Sequence, residues 1–142
     1  MKKKLNLVLL IDDDYPTNCF NEMMIEDEGV AEKIITIQSA AEALDFLAGK
    51  GIHEGRPDNM VPDLIFLDIN MPAMNGWEFL EAYKLLPFHL QGSIVVVMLT
   101  ASPSPDDESK AQSMTGVTGF LNKPLTPPML HQVLREHFLE YC

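Results

Sequence analysis

Five short apolar runs, separated by stretches with helical spacing, constrain the fold of this chain more than any other feature. The runs are Leu5–Ile11, Lys33–Ile37, Asp63–Leu67, Ile94–Leu99 and Gly119–Leu121. Most of them are almost uninterrupted, which is typical of strands covered on both faces of a parallel sheet. A helical pattern follows each run, and such alternation favours right-handed crossovers with helices on both faces. The sequence therefore predicts an α/β domain with a doubly wound, five-stranded parallel sheet.

Capping residues, prolines and glycines mark the helix ends. The predicted helices run from Pro16 to about Glu28 with Gly29 as the stop, from a capping box at Ser39 and Glu42 to near Gly49, from the Asn75-Gly76 turn to before Pro87, and from Thr126 with Pro127 in the first turn. Residues 102–118 contain two prolines and few apolar anchors, so they predict a short, loosely held helix. The polar stretch 51–62 is predicted to be a surface loop.

The length and the charge of the chain limit its function. A chain of 142 residues is long enough for one domain and too short for two ordinary ones, so residues 1–142 are expected to form a single domain. A formal net charge of −11 argues against direct binding to nucleic acid or to an anionic membrane, because both require a cationic surface. Metal cations and basic protein surfaces are the expected partners.

The cellular setting is indicated by what the sequence lacks. The apolar run after the first lysines is minimal for a signal peptide and stops at Asp12, and no other run approaches the length of a membrane span. The two cysteines, Cys19 and Cys142, have no metal-ligand spacing. We therefore expect a reduced, cytoplasmic setting without membrane attachment.

Polar residues follow four of the predicted strands. They are Asp12 and Asp13 after the first strand, Asp68 after the third, Thr100 after the fourth and Lys123 after the fifth. Because the carboxyl ends of parallel strands meet at one edge of the sheet, these side chains should converge there. The alternative that Asp68 only caps the helix near Gly76 is disfavoured, since Asp68 lies several positions too early.

The chemistry of these residue types predicts a metal-assisted phosphoryl-transfer site. Ionised carboxylates ~4 Å apart repel each other by about 4 kcal/mol per pair at an effective dielectric of ~20. Mg²⁺ would compensate that charge, because it binds carboxylates and completes its shell with water and phosphate oxygens. Lys123 adds a fixed cation, and Thr100 can donate a hydrogen bond to a charged oxygen. Asp68 is the candidate nucleophile, able to form an acyl phosphate.

The same residues make the chain closely resemble the receiver domain of two-component response regulators, of the stand-alone type found in chemotaxis regulators. The resemblance covers essentially the full length through Asp12-Asp13, Leu67-Asp68-Ile69-Asn70-Met71-Pro72 with Gly76, Thr100-Ala101, and Lys123-Pro124. It implies a flavodoxin-like (βα)5 fold with strand order 2-1-3-4-5. It also implies a cis bond between Lys123 and Pro124, since cis bonds are nearly confined to proline.

The resemblance further implies a role for each site residue. Asp68 would accept a phosphoryl group from a phosphohistidine donor. Mg²⁺, or Mn²⁺ in its place, would be held by Asp13, Asp68 and the backbone carbonyl of Asn70, with Asp12 acting through water. Lys123 would pair with the phosphoryl oxygens.

A switch is implied as well. Thr100 would move toward the phosphoryl group and Phe120 would swing inward behind it, although many receivers have tyrosine at that position. Asn75 stands where aspartate is common. The output face would consist of the fourth helix, the fifth strand and the fifth helix.

The implied partners are a histidine kinase or a histidine phosphotransfer protein and a separate effector, with a phosphorylation-dependent dimer as a further option. Because no residues follow Cys142, no output domain is expected in this chain. Apart from its own phosphorylation and dephosphorylation, the domain is not expected to act as an enzyme.

Three alternatives remain open from the sequence. A haloacid-dehalogenase-like phosphatase uses a similar set of groups, but its nucleophile comes first in sequence and a second aspartate follows two residues later, where this chain has Asn70. A flavin-binding module would need a phosphate-cradling loop after the first strand, where this chain has aspartates. The third alternative is a receiver that only binds partners, independently of phosphorylation.

Overall fold

The computed structural model of the protein describes residues 4–48, 61–86, 94–101, 104–114 and 117–138. Its five strands are β1 (Leu5–Ile11), β2 (Ala31–Ile37), β3 (Leu64–Asp68), β4 (Val95–Thr100) and β5 (Gly119–Asn122). They form one parallel sheet in the order β2-β1-β3-β4-β5. This architecture confirms the predicted doubly wound fold and its strand order. β2 begins two residues earlier than predicted, and β3 includes Asp68 itself.

Five helices connect and follow the strands. They are α1 (Tyr15–Glu28), α2 (Ala40–Ala48), α3 (Gly76–Lys84), α4 (Pro105–Ser113) and α5 (Pro127–His137). The predicted capping residues accept hydrogen bonds from backbone N–H groups in the first turn: Ser39 Oγ accepts from the Glu42 N–H, and Thr126 Oγ1 accepts from the Met129 N–H. Gly29 ends α1 at a φ of 66°, in the left-handed region that favours glycine. The predicted helix end near Gly49, most of the 51–62 loop and the stop at Pro87 lie outside the described residues.

Helices cover both faces of the sheet, as predicted. On one face, Leu9 of β1 packs in a cluster with Phe46 of α2 and Phe79 of α3. On the other face, Leu10 of β1 packs with Ile25 of α1 and with α5. Successive residues of β1 thus enter opposite cores, which explains why its sequence is almost continuously apolar. Among the described residues, none of the helices combines the length and apolar composition of a transmembrane span.

The buried face of α1 differs from what its apolar spacing suggests. The spacing of Phe20, Met23 and Met24 predicted the helix correctly, yet Phe20 and Met23 are exposed. The residues that α1 buries are Asn18, Asn21 and Ile25. A buried asparagine is tolerated where the backbone offers hydrogen-bond partners, so this face of α1 is set partly by polar contacts.

Candidate functional site

Three carboxylates meet at the carboxyl edge of the sheet. Asp12 directly follows β1, Asp68 ends the neighbouring strand β3, and Asp13 comes next in the loop after β1. One carboxylate oxygen from each of the three lies within 4.8 Å of the others. Asp12 and Asp68 are buried, whereas Asp13 is exposed. The edge therefore presents a half-open acidic cluster.

Lys123 lies between the two buried carboxylates. Its Nζ is 2.6 Å from Asp12 Oδ2 and 3.0 Å from Asp68 Oδ1. Burial acts to lower the pKa of Lys123, but the hydrogen bonds and charges of Asp12 and Asp68 outweigh it and raise the pKa overall. Lys123 is therefore a permanently charged group that compensates part of the acidic cluster.

Backbone pairing fixes the position of this lysine. β5 pairs in parallel with β4, and Thr100 lies opposite Asn122. The Lys123 N–H then donates to the Thr100 carbonyl at 2.8 Å. The peptide bond between Lys123 and Pro124 is cis, as the resemblance implied.

The pKa of Asp68 is raised to about 6: burial is the largest cause, the charge of Asp12 adds to the increase, and Lys123 opposes it. A carboxylate buried beside another negative charge favours its neutral form. At neutral pH the group is still mostly ionised, which a nucleophilic oxygen requires.

The loop after Asp68 packs tightly against the start of α3. A Cβ on Gly76 would lie 2.6 Å from the Asp68 carbonyl oxygen, so only glycine fits there. The Gly76 N–H donates to the Ile69 carbonyl at 2.8 Å. Asn75 and Glu78 form a full capping box at the start of α3. Since Asn75 is the cap, the alternative in which Asp68 caps this helix is excluded.

The remaining sequence-predicted residues lie around the acidic cluster in different settings. Thr100 is fully buried at the end of β4, one residue after Leu99, which pairs with Asp68. Asn70 is exposed two residues after Asp68. Phe120 is half-buried on β5, where it helps line a cavity of about 400 Å³ between α4 and β5.

The donor set suits a hard divalent cation. Oxygen ligands are what Mg²⁺ and Ca²⁺ prefer, and Mg²⁺ commonly uses one or two carboxylates and keeps several waters. The carboxylate oxygens of Asp12, Asp13 and Asp68 are close enough together to serve one such ion, and the exposure of Asp13 leaves a side open to water. The residues therefore fit a magnesium site.

Two side chains near the site were not singled out from the sequence. Asn18 is buried on α1 and donates from Nδ2 to the Asp12 carbonyl. Trp77, next to Gly76, donates from Nε1 to Asp107 Oδ1 on α4 at 3.2 Å. Sequence patterns did not reveal the role of either residue. Asn18 is a polar residue within the apolar spacing of a helix, and the position of Trp77 in a helix does not show which residue it contacts.

The strand order, with two buried aspartates and a lysine at the carboxyl edge of the sheet, defines a flavodoxin-like α/β domain. The sequence profile described as the response regulator receiver domain matches residues 8–135. Because that range covers most of the chain, the chain belongs to the response regulator receiver domain family, which serves two-component signalling.

Individual proteins show the same likeness. A two-component response regulator of Cytophaga hutchinsonii superposes with a TM-score of 0.83 at 31% identity, covering 96% of this chain and 99% of that one. The bacteriophytochrome response regulator RtBRR gives a TM-score of 0.79 at 28% identity, covering 94% of this chain and 78% of that one. The transcriptional regulatory protein CitT of Halalkalibacterium halodurans is 31% identical over 92% of this chain. The matched region covers only 51% of the length of that relative.

Proposed function

We propose that this chain is the phosphoacceptor domain of a two-component phosphorelay and that Asp68 accepts the phosphoryl group. The observation that carries the proposal is the position of Asp68: a buried, mostly ionised carboxylate at a strand end, with Lys123 Nζ 3.0 Å away and two further carboxylates beside it. Among the described residues this combination supplies a nucleophile, a fixed cation and a set of metal-ligand oxygens in one place.

The proposed reaction is transfer from a phosphohistidine donor. An Asp68 carboxylate oxygen attacks phosphorus, the bond from phosphorus to the imidazole nitrogen breaks, and its electron pair returns to the imidazole. The product is an acyl phosphate, which water later hydrolyses to the carboxylate and inorganic phosphate. This cycle is proposed to be the only chemistry of the domain.

Asp13, Asp68 and the backbone carbonyl of Asn70 are the proposed Mg²⁺ ligands, and Asp12 would act through water; Mn²⁺ could substitute. When bound, the ion would neutralise charge on the phosphoryl oxygens as they approach the carboxylates. Lys123 would exchange its contact with Asp68 for one with a phosphoryl oxygen. That exchange requires only a small movement, because Lys123 Nζ already lies 3.0 Å from Asp68 Oδ1.

The signal would pass from Asp68 to a surface. Thr100 would donate a hydrogen bond to the phosphoryl group, and Phe120 on the neighbouring strand would repack behind it. Support comes from the half-buried position of Phe120 beside the cavity between α4 and β5, which leaves room for a second side-chain position. A coupling of roughly 1–3 kcal/mol would suffice to shift the two states. The output face would comprise α4, β5 and α5.

The proposed partners are a histidine kinase or a histidine phosphotransfer protein as donor and a separate effector protein, in the cytoplasm. A phosphohistidine side chain can reach Asp68 only if its protein covers the edge where α1 begins. Tyr15, Phe20 and Met23 give that helix an exposed apolar surface, which suits a protein partner and not a nucleic acid. A phosphorylation-dependent dimer through the output face is a further proposed assembly, and residues 1–142 are proposed to act as one unit.

The test is phosphorylation of the purified protein with acetyl phosphate, with and without Mg²⁺. We expect a Mg²⁺-dependent mass increase of one phosphoryl group that Asp68→Ala abolishes. Asp45→Ala, which removes an exposed carboxylate on α2, is the matched control and should be modified like the wild type. Modification that persists in Asp68→Ala, or that ignores Mg²⁺, contradicts the proposal. Steady turnover of a small phosphoester would favour the phosphatase instead.

A further inference from the structure

Asn18 is the buried side chain that joins α1 to the acidic edge. Its exposed fraction is 1%, and its Nδ2 donates to the Asp12 carbonyl at 2.8 Å. A second, longer contact of 3.5 Å leads from Nδ2 to the Ile37 carbonyl at the end of β2. One amide thus links α1 to the ends of two neighbouring strands, directly behind the proposed metal ligands.

The orientation of this amide follows from its neighbours. Two carbonyl oxygens can be satisfied only by the NH₂ side of an asparagine, so Nδ2 must face them. Oδ1 then points away, and it has no hydrogen-bond partner among the residues that the structure describes. A buried amide oxygen without a partner destabilises the folded state. An apolar residue would avoid that cost but would leave the Asp12 carbonyl without this donor, so the asparagine serves the strand end and not the packing of α1.

The hydrogen bond from Asn18 is one of four that hold Asp12 in place. The Asp12 N–H donates to the Ile37 carbonyl at 3.1 Å, and its carbonyl accepts from Asn18. Its Oδ1 accepts from the Asp14 N–H at 2.9 Å, and its Oδ2 accepts from Lys123 Nζ at 2.6 Å. Every polar group of Asp12 therefore has a partner. Of these contacts, the one from Asn18 holds the peptide that leads into Asp13.

We propose that Asn18 is a positioning residue for the Mg²⁺-binding carboxylates Asp12 and Asp13, an inference that rests on the proposed function. Groups that orient metal ligands raise metal affinity because the ligands need less reorganisation when the ion binds. Asp13 is exposed and lies in a loop, so the neighbouring peptide is the main restraint on where its carboxylate can be placed.

The test uses Asn18→Leu, which keeps the branch at Cγ and is larger, but cannot donate to the carbonyls. Asn21→Leu is the matched control, since Asn21 is also buried on α1 and forms no hydrogen bond to Asp12 within the described part of the chain. Mg²⁺ affinity is measured by calorimetry, and the free energy of unfolding is measured in urea with EDTA. We expect the Mg²⁺ dissociation constant to rise about tenfold in Asn18→Leu. In Asn21→Leu it should stay within about twofold of the wild type.

The outcomes separate the two proposals. If Asn18→Leu changes only unfolding in EDTA and leaves Mg²⁺ affinity unchanged, the role of Asn18 is structural and the inference is wrong, while the phosphoacceptor function stands. If Asn21→Leu weakens Mg²⁺ binding equally, positioning by Asn18 is also refuted. If the wild type fails to bind Mg²⁺, both proposals fail. Asn18→Ser, which is smaller and perturbs packing differently, must show the same loss as Asn18→Leu, and wild-type affinity in it overturns the inference.

Discussion

Lys123 Nζ lies 2.6 Å from Asp12 Oδ2, although 111 residues separate the two in sequence. The ammonium also reaches Asp68, so it bridges the two carboxylates that the sheet buries. It thereby links β5, the last strand, to β1 and β3 at the centre of the sheet. Without a metal ion, this lysine compensates the charge that the fold concentrates at its edge.

Replacing Lys123 with methionine should therefore weaken the metal-free fold. The substitution leaves two buried carboxylates without their cation, and removing one partner of such a pair typically costs about 3–5 kcal/mol. Because the lysine side chain is 16% exposed, we expect a somewhat smaller loss of about 2–4 kcal/mol in the free energy of unfolding. Urea unfolding in EDTA measures it. Added Mg²⁺ should recover much of the loss and should bind more tightly than to the wild type.

The control for that experiment is Lys4→Met, which removes an exposed lysine. It should change the free energy of unfolding by less than about 0.5 kcal/mol. If Lys123→Met proves as stable as Lys4→Met in EDTA, the bridging contact does not compensate the acidic cluster.

The raised pKa of Asp68 predicts an unusual pH dependence. A carboxyl group whose folded pKa of about 6 exceeds its ordinary 3.8 destabilises the folded state when it ionises. Stability of the metal-free protein should thus fall as the pH rises from about 4 through 6. Asp68→Asn lacks this ionisation, so at pH 7 it should be about 2–3 kcal/mol more stable than the wild type, at ~1.4 kcal/mol per pKa unit.

Urea unfolding in EDTA at several pH values checks this prediction. The difference between Asp68→Asn and the wild type should shrink as the pH approaches 4, because both then carry a neutral side chain at position 68. A difference that is constant with pH would mean that Asp68 does not titrate in this range.

The sheet and its edge could be predicted because two simple rules determine them. Strands buried on both faces, such as β1, are almost continuously apolar, and a polar residue such as Asp68 that ends the run marks the strand end. Parallel strands end at one edge, which brings Asp12, Asp68 and Lys123 together without any knowledge of their distances.

Sequence patterns could not predict the hydrogen bonds that buried polar side chains form. The periodicity of α1 follows its apolar residues, but the helix buries Asn18 because a carbonyl at the strand end needs a donor. Likewise, the weak apolar content of α4 predicted a loosely held helix, and only the structure shows that Trp77 holds it from α3.

Gly76→Ala should destabilise the domain and displace Asp68, the proposed phosphoacceptor. The added Cβ would lie 2.6 Å from the Asp68 carbonyl oxygen and 3.0 Å from Ile69 Cα, and backbone atoms cannot move away cheaply. We expect a loss of about 1–3 kcal/mol in the free energy of unfolding together with slower phosphorylation by acetyl phosphate. Gly119→Ala is the control, because its Cβ would meet the Val97 side chain at an ordinary 3.4 Å. Equal effects of the two substitutions would rule out the close approach at Gly76 as the cause.

The attachment of α4 provides the last prediction. Ala111 is the only residue of α4 that the structure buries. Trp77 on α3 adds two contacts with α4: its Nε1 donates a hydrogen bond to Asp107, and Lys110 Nζ lies over the indole ring, 5.1 Å from the ring centroid. Trp77→Phe removes the hydrogen-bond donor, which should lower the local stability of α4 by about 1 kcal/mol. Amide exchange in residues 105–113 should therefore become about fivefold faster. Exchange in α2 should not change.

Two substitutions on α4 separate this hydrogen bond from simple loss of packing around the indole. Asp107→Leu removes the acceptor and should speed exchange in α4 as Trp77→Phe does. Asp107→Asn keeps an acceptor oxygen and should stay close to the wild type. Since Trp77 is the single tryptophan, its fluorescence should shift in Asp107→Leu but much less in Asp107→Asn. Unchanged exchange in both Trp77→Phe and Asp107→Leu would show that α4 is held by its apolar contacts and not by the hydrogen bond from Trp77.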